Sequence, residues 1–248
     1  MWHLGRQEEG AGDPYEGERR RMIEEQLRRR GIVLGSVLEA MEKVPRHLFV
    51  GHDYAQRAYA DEALPSAEGQ TISQPYMVAA MTQELGVKRG DRVLEVGTGT
   101  GYQTAILAEL VGQGEGGGHV FTVERMAGLG ESARRRLRGM GYENVTVWVG
   151  DGSQGWPGEL WRGGEGWGER PRFERILVTA GAPEVPGPLV EQLGEGGVMI
   201  IPLEEAGHGD RVEMLTRVEK RGGRIERTRL FACRFVPLVG RHGHAPGE

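Results

Sequence analysis

The sequence predicts an α/β fold built on a mostly parallel sheet, and three observations carry that expectation. Val93 to Val96 form a short β-prone run that feeds a turn with glycine at 97, 99 and 101, then an apolar helix-prone stretch from Ala105 to Leu110. Two later apolar runs, His119 to Val123 and Val145 to Val149, each lead to an acidic residue, Glu124 and Asp151. Beyond the glycine turn, strand-like and helix-like segments alternate, which favours parallel strands joined by right-handed crossovers.

At the start of the chain, residues 1 to about 17 are rich in glycine and charge and are expected to be a mobile leader. A single domain is expected over 18–240, with a polar tail over 241–248. Met22, Ile23 and Leu27 fall at helical spacing between Glu18 and Arg30, and Val37, Leu38, Met41 and Val44 repeat the pattern before Pro45. Residues 51–75 carry Pro65, Gly69 and Pro75 and read as an irregular segment wrapping over something; Met77 to Leu85 reads as a helix leading into the sheet. After the glycine turn and its helix come a strand over Phe173 to Thr179, a short helix over Leu189 to Leu193, and a strand over Val198 to Pro202. A closing hairpin is expected from Val212 to Val218 and Thr228 to Phe235. Glycine-rich inserts occupy 113–118 and 158–168, and Trp161 and Trp167 in the second are expected to pack loosely or face solvent.

Composition bounds the function. A chain of 248 residues buries a sizeable core, and a net charge of -5 gives no global attraction to nucleic acid. Arg134, Arg135, Arg136 and Arg138 form a local basic cluster, read as a solvated helix face. One cysteine, Cys233, excludes an internal disulfide and a cysteine-rich zinc site, and the 7 histidines have no metal-ligand spacing; His242 and His244 are expected to lie disordered in the tail. No apolar run suits a signal peptide or a membrane span. The expectation is a cytoplasmic monomer without metal, nucleic-acid or membrane partners.

The glycine turn builds a ligand cradle, because residues without a Cβ let the backbone turn tightly and approach a ligand closely. A dinucleotide fingerprint would place its third glycine where Tyr102 stands. Here the pattern is ExGxGxG from Glu95 to Gly101, which resembles motif I of the S-adenosylmethionine-dependent methyltransferases. Taken alone, the triplet fits a structural turn or another nucleotide site equally well. Glu124 at a strand tip suits two ribose hydroxyls, and Asp151 on the Gly150–Gly152 turn suits the exocyclic amine of adenine; each also reads as an ordinary strand-end or turn residue.

The substrate side is more specific. Gly69 to Ala79 reads GQTISQPYMVA. With VPRHLF from Val44, VLEVGTGTGYQTAILA from Val93, VER from Val123, GDG from Gly150 and RFVPLV from Arg234, it resembles the protein-L-isoaspartate O-methyltransferase family over roughly Arg20 to Gly240. The resemblance implies a Rossmann-like, doubly wound class I methyltransferase sheet ending in an antiparallel strand. It implies methyl transfer from S-adenosylmethionine, leaving S-adenosylhomocysteine, to the free carboxylate of L-isoaspartyl residues in damaged proteins and peptides, which starts repair through a succinimide. It further implies Ser73 as the active-site hydroxyl, with Thr71 and Ile72 on the same loop. Glu95, Gly97, Thr98 and Gly99 would hold the methionine part of the cofactor, Glu124 the ribose, and Asp151 with Gly152 the adenine. RFVPLV resembles the segment that closes over the substrate. Some relatives carry histidines at the positions of Tyr76 and Val78, so no histidine base is required there.

That chemistry needs little acid–base help, since a carboxylate with a pKa of about 4 is already ionised at neutral pH. Ser73 has a second reading, as an N-cap before Met77. The whole chain has others: a methyltransferase with a small-molecule or RNA acceptor, a non-catalytic module of the same fold, or a nicotinamide oxidoreductase.

Overall fold

The computed structural model describes residues 13–161, 171–205 and 212–247. Two short strands, β1 (Leu64–Pro65) and β2 (Thr71–Ile72), pair antiparallel apart from the main sheet. The main sheet holds β3 (Arg92–Val96), β4 (His119–Glu124), β5 (Val145–Val149), β6 (Phe173–Val178), β7 (Leu193–Glu204), β8 (Glu213–Arg221) and β9 (Arg224–Cys233). Their order is β5-β4-β3-β6-β7-β8-β9. The first five are mutually parallel, and β8 and β9 add an antiparallel hairpin. The sheet thus closes on the expected hairpin, in which β8 runs against the five parallel strands and β9 runs with them. Gly222 and Gly223 turn that hairpin with φ of 57° and 73°, the pair of positive angles that a tight two-residue turn demands.

Burial on both faces explains why the inner strands read as continuous apolar runs rather than alternating ones. Val93, Val120, Leu177, Val198 and Ile200 pack on one face with α2 (Gly35–Lys43), α3 (Pro75–Leu85) and α4 (Tyr102–Val111). Leu94, Phe121, Ile176, Met199 and Ile201, one residue out of step, pack on the other with Trp156, Trp161 and Leu189.

Four local expectations change. The helix expected over 18–30 is three coils in succession, namely α1 (Glu16–Arg21), a π turn over Met22–Leu27 and a 3-10 turn over Arg28–Arg30; all of Met22, Ile23 and Leu27 are buried. The expected leader is docked by residue 13. Asp13 pairs with Arg19 at 2.6 Å and Tyr15 stacks on His47 with ring centres 4.4 Å apart, while residues 1–12 lie outside the described residues. Trp161 is buried against Phe121 of β4 and Phe173 of β6, strand residues that give it an aromatic shelf to cover; Trp167 lies outside the described residues. The tail is ordered through His244, which is 6% exposed and lies 3.4 Å from Glu204.

The arginine cluster lies on α5 (Ala127–Gly139), and it is only partly a solvated face. Arg134, Arg135 and Arg138 are exposed, but Arg136 is half-buried and donates to the Thr100 carbonyl at 2.7 Å, bracing the glycine turn. Cys233 is half-buried, and burial pushes its thiol up to about 12, so it stays protonated and unreactive. Among the described residues no helix is long and apolar enough to cross a membrane, and no group of three or more His, Cys, Asp or Glu is placed to hold a metal.

Candidate active site

The strand order reverses beside β3: the chain first builds β4 and β5 on one side of it, then crosses to β6 on the other. Open α/β sheets bind ligands outside the carboxyl ends of strands at such a point. A cavity of about 580 Å³ lies there, reached by Val96 of β3, Glu124 of β4 and Thr179 just after β6. Its size is ordinary for a small-molecule site.

The glycine turn forms one wall. Gly97, Gly99 and Gly101 have φ of 100°, 54° and 90°, a region in which side chains with a Cβ are strained. A Cβ on Gly97 would overlap Thr179 Oγ1, whose hydroxyl lies 3.0 Å from the Val96 carbonyl and 2.9 Å from that of Gly97. A Cβ on Gly99 would meet no atom of the other described residues within 4 Å, its chain neighbours aside. The space over Gly99 is open to a ligand, while Gly97 is needed by the protein itself. Gly152 completes the floor, where a Cβ would sit 2.6 Å from Val96 Cγ1.

Glu124 is nearly buried at the end of β4, where its carboxylate accepts from the backbone N–H of Gly99 (2.9 Å) and of Met126 (3.0 Å). A carboxylate accepts about four hydrogen bonds, so it retains capacity toward the cavity it lines. Glu124→Ala is expected to weaken cofactor binding by about 1 to 3 kcal/mol, roughly 5- to 150-fold, through loss of a charged acceptor and of the brace on Gly99. Titration calorimetry checks this; a lowered melting temperature with unchanged affinity would leave Glu124 only the brace.

Of the residues singled out from sequence, Thr71, Ile72, Ser73, Gly97, Thr98, Gly99, Glu124 and Gly152 line this one cavity, whereas Glu95 and Asp151 do not. Glu95 is wholly buried one layer behind. Thr104 and Thr122 donate to its Oε2 at 2.5 Å and 2.6 Å, and Thr98, at the cavity wall, donates in turn to Thr122 at 2.7 Å. Among the described residues its Oε1 has no hydrogen-bond partner, and burial pushes its pKa up to about 7 against the two threonine hydroxyls.

Asp151 is spent on the protein. Its Oδ1 accepts from the Ser153 N–H (2.9 Å) and hydroxyl (2.6 Å), and its Oδ2 from Gln154 (3.0 Å) and the Arg241 N–H (2.8 Å). Burial would raise its pKa, but these hydrogen bonds outweigh it and hold the carboxyl below the usual range. All four acceptor positions are occupied, so its carboxylate shapes the Gly152 turn instead of facing a ligand.

The opposite wall is β2 with Ser73 and the start of α3. Thr71 and Ile72 are fixed by pairing with Pro65 and Leu64. Ser73 is not a helix cap: Gln74 occupies the N-cap of α3 with no side-chain cap bond, and the Ser73 hydroxyl makes no hydrogen bond to another described residue. Arg234 to Val239 close a third side, held by the Gly181 N–H to the Val236 carbonyl (2.8 Å) and the Leu238 N–H to the Gly181 carbonyl (2.7 Å). Gln103, Arg125 and Thr179 also line the cavity and escaped the sequence reading; the position of Thr179 just past a parallel strand was the available signal.

These residues fit an adenosine cofactor carrying a cationic amino-acid group: open volume over Gly99, an acid at a strand end, and a second acid behind Thr98 with an unsatisfied oxygen. The family model for protein-L-isoaspartate(D-aspartate) O-methyltransferase matches residues 18–243. The protein-L-isoaspartate O-methyltransferase of Syntrophus aciditrophicus is 45% identical over 231 residues, 93% of this chain and 98% of its own. That of Dictyoglomus thermophilum is 44% identical over 229 residues, 92% and 94% of the two chains. A solved protein-L-isoaspartate O-methyltransferase superposes with a TM-score of 0.76 at 30% identity, covering 91% of this chain and 67% of that one. A beta-aspartate methyltransferase from Plasmodium falciparum, solved with S-adenosyl-L-homocysteine, superposes with a TM-score of 0.75 at 29% identity, covering 89% and 98%.

Proposed function

The chain belongs to the protein-L-isoaspartate O-methyltransferase family, and from that premise we propose that Ser73 orients the acceptor carboxylate while the turn from Gly97 to Gly99 and Glu124 hold the donor. The protein is an S-adenosylmethionine-dependent protein carboxyl O-methyltransferase acting on L-isoaspartyl residues. When bound, S-adenosylmethionine supplies a sulfonium-activated methyl group, and the product is a methyl ester.

The observation that carries the assignment of roles is that Ser73 and the glycine turn line one cavity from separate chain segments, with the Ser73 hydroxyl uncommitted. The protein's task is positioning. A carboxylate acceptor needs no base, so the residues must bring oxygen and methyl carbon into line and keep water out, an orientation worth about 7 kcal/mol or more in favourable cases. Ile72, Met77, Val78, Met81 and the 235–239 segment supply the apolar walls for that.

The test uses two peptides identical except for L-isoaspartate or L-aspartate at one position, with methyl-labelled S-adenosylmethionine. Only the first should be labelled, as an ester lost in mild base. An isoaspartyl linkage leaves the α-carboxylate free, so the pocket discriminates by geometry at equal charge. Ser73→Ala should lower labelling by about 10- to 100-fold, the cost of one or two lost hydrogen bonds to a charged group, at unchanged affinity for S-adenosylhomocysteine. Equal labelling of both peptides, or a base-stable product, refutes the acceptor assignment.

A further inference from the structure

Arg46 is a wholly buried cation on the 3-10 turn that comes after α2. Its Nε donates to the Ala58 carbonyl at 2.7 Å, its Nη2 donates to the Ser73 carbonyl at 2.8 Å, and its Cζ lies 4.8 Å from the centre of the Tyr102 ring. Ser73 and Tyr102 line the cavity, so the guanidinium stands directly behind the wall on which the acceptor is held. Among the described residues no carboxylate pairs with it, and its Nη1 has no hydrogen-bond partner.

A buried charge is costly unless it is both hydrogen-bonded and neutralised. Two carbonyls and an aromatic face offset part of that cost, but neither carries a negative charge. In a low-dielectric wall such a charge acts over more than one layer of atoms. The group that arrives on the other side of Ser73 is an anion.

We propose that Arg46 is a positioning residue for the acceptor: it fixes the Ser73 backbone through its carbonyl and provides the counter-charge to the α-carboxylate bound in front of it. This rests on the isoaspartyl carboxylate being the acceptor. The planar guanidinium reaches two carbonyls with separate N–H groups, which a lysine ammonium matches in charge but not in geometry.

The experiment measures binding of two isoaspartyl peptides, one with the free α-carboxylate and one with an α-carboxamide, to the S-adenosylhomocysteine complex of the full chain, by calorimetry below the melting temperature. Wild type should prefer the carboxylate by about tenfold or more, as expected when a buried charge faces its partner. In Arg46→Met the preference should fall to within about threefold while affinity for S-adenosylhomocysteine changes less than about twofold, and Arg46→Lys should retain most of the preference. A purely structural role would weaken both peptides alike and leave their ratio intact. A folded Arg46→Met with the wild-type ratio overturns the proposal, and so does a wild type that binds both peptides equally. If Arg46→Met does not fold, Arg46→Gln decides, since it keeps an N–H donor without the charge: a collapsed preference supports the charge role and a wild-type ratio overturns it. Normal labelling of the isoaspartyl peptide by wild type, measured alongside, separates failure of this proposal from failure of the acceptor assignment.

Discussion

Gly99→Val is expected to abolish cofactor binding, weakening it by about 3 kcal/mol or more, roughly 100-fold, and to reduce methyl transfer below detection at ordinary cofactor concentrations. Two effects add. The residue sits at φ 54°, where a β-branched side chain is strained by about 1 to 3 kcal/mol. The Cβ would also project into volume that, apart from its chain neighbours, no atom of the described residues fills within 4 Å. Because the surroundings are open, the fold should survive with a modest drop in melting temperature. Calorimetric titration with S-adenosylmethionine checks the result, and an affinity within threefold of wild type would remove the turn from the donor site.

Glu95→Gln should change the pH dependence of stability. The carboxyl is wholly buried, and its pKa of about 7 stands above the ordinary 4.5. Between those values the folded protein holds a proton that the unfolded chain has released, so stability falls as pH rises through the window. The total loss is on the order of 3 kcal/mol, complete above about pH 7. Glutamine keeps the shape and cannot ionise. Urea unfolding of both proteins should give similar stabilities near pH 4.5 and a more stable variant at pH 8; parallel curves across the range would show that Glu95 ionises at no cost. The same logic predicts that a cation bound in front of Thr98 draws the carboxyl to its charged form, releasing a proton near neutral pH.

How much of the fold and site was legible depended on whether a residue's role was local. The glycines at 97, 99 and 101 declare themselves, because positive φ is a property of one residue and its spacing survives in one dimension. Glu124 was readable because a strand end in a parallel sheet faces the site. Asp151 had the same local signature, and its carboxylate is nonetheless consumed by Ser153, Gln154 and a backbone N–H from residue 241, a partner no local pattern shows. Glu95 was placed on the cofactor by motif, yet the period of two along β3 turns it into the interior. Glycine and charge around them in sequence make Trp161 read as loosely packed or solvent-facing and His244 as part of a disordered tail, and both are buried. Arg46 drew no separate notice, since a lone arginine is ordinarily a surface residue and only packing against Ala58, Ser73 and Tyr102 makes it otherwise.

The bond from the Arg241 N–H to Asp151 spans 90 positions, and its neighbour from the His242 N–H to Ser153 spans 89. During synthesis the turn over 150–152 therefore emerges long before the segment that fastens it. Until residues 240–244 arrive, Asp151 has its local bonds to Ser153 and Gln154 but not the one from the Arg241 N–H. Contacts so distant form late, because the chain must first lose the freedom of the intervening stretch. A nascent or unfolding chain is therefore expected to pass through a form in which the floor of the cavity at Gly152 is not yet fastened, and ligand added during refolding should accelerate only the final step, when the two ends of this span meet.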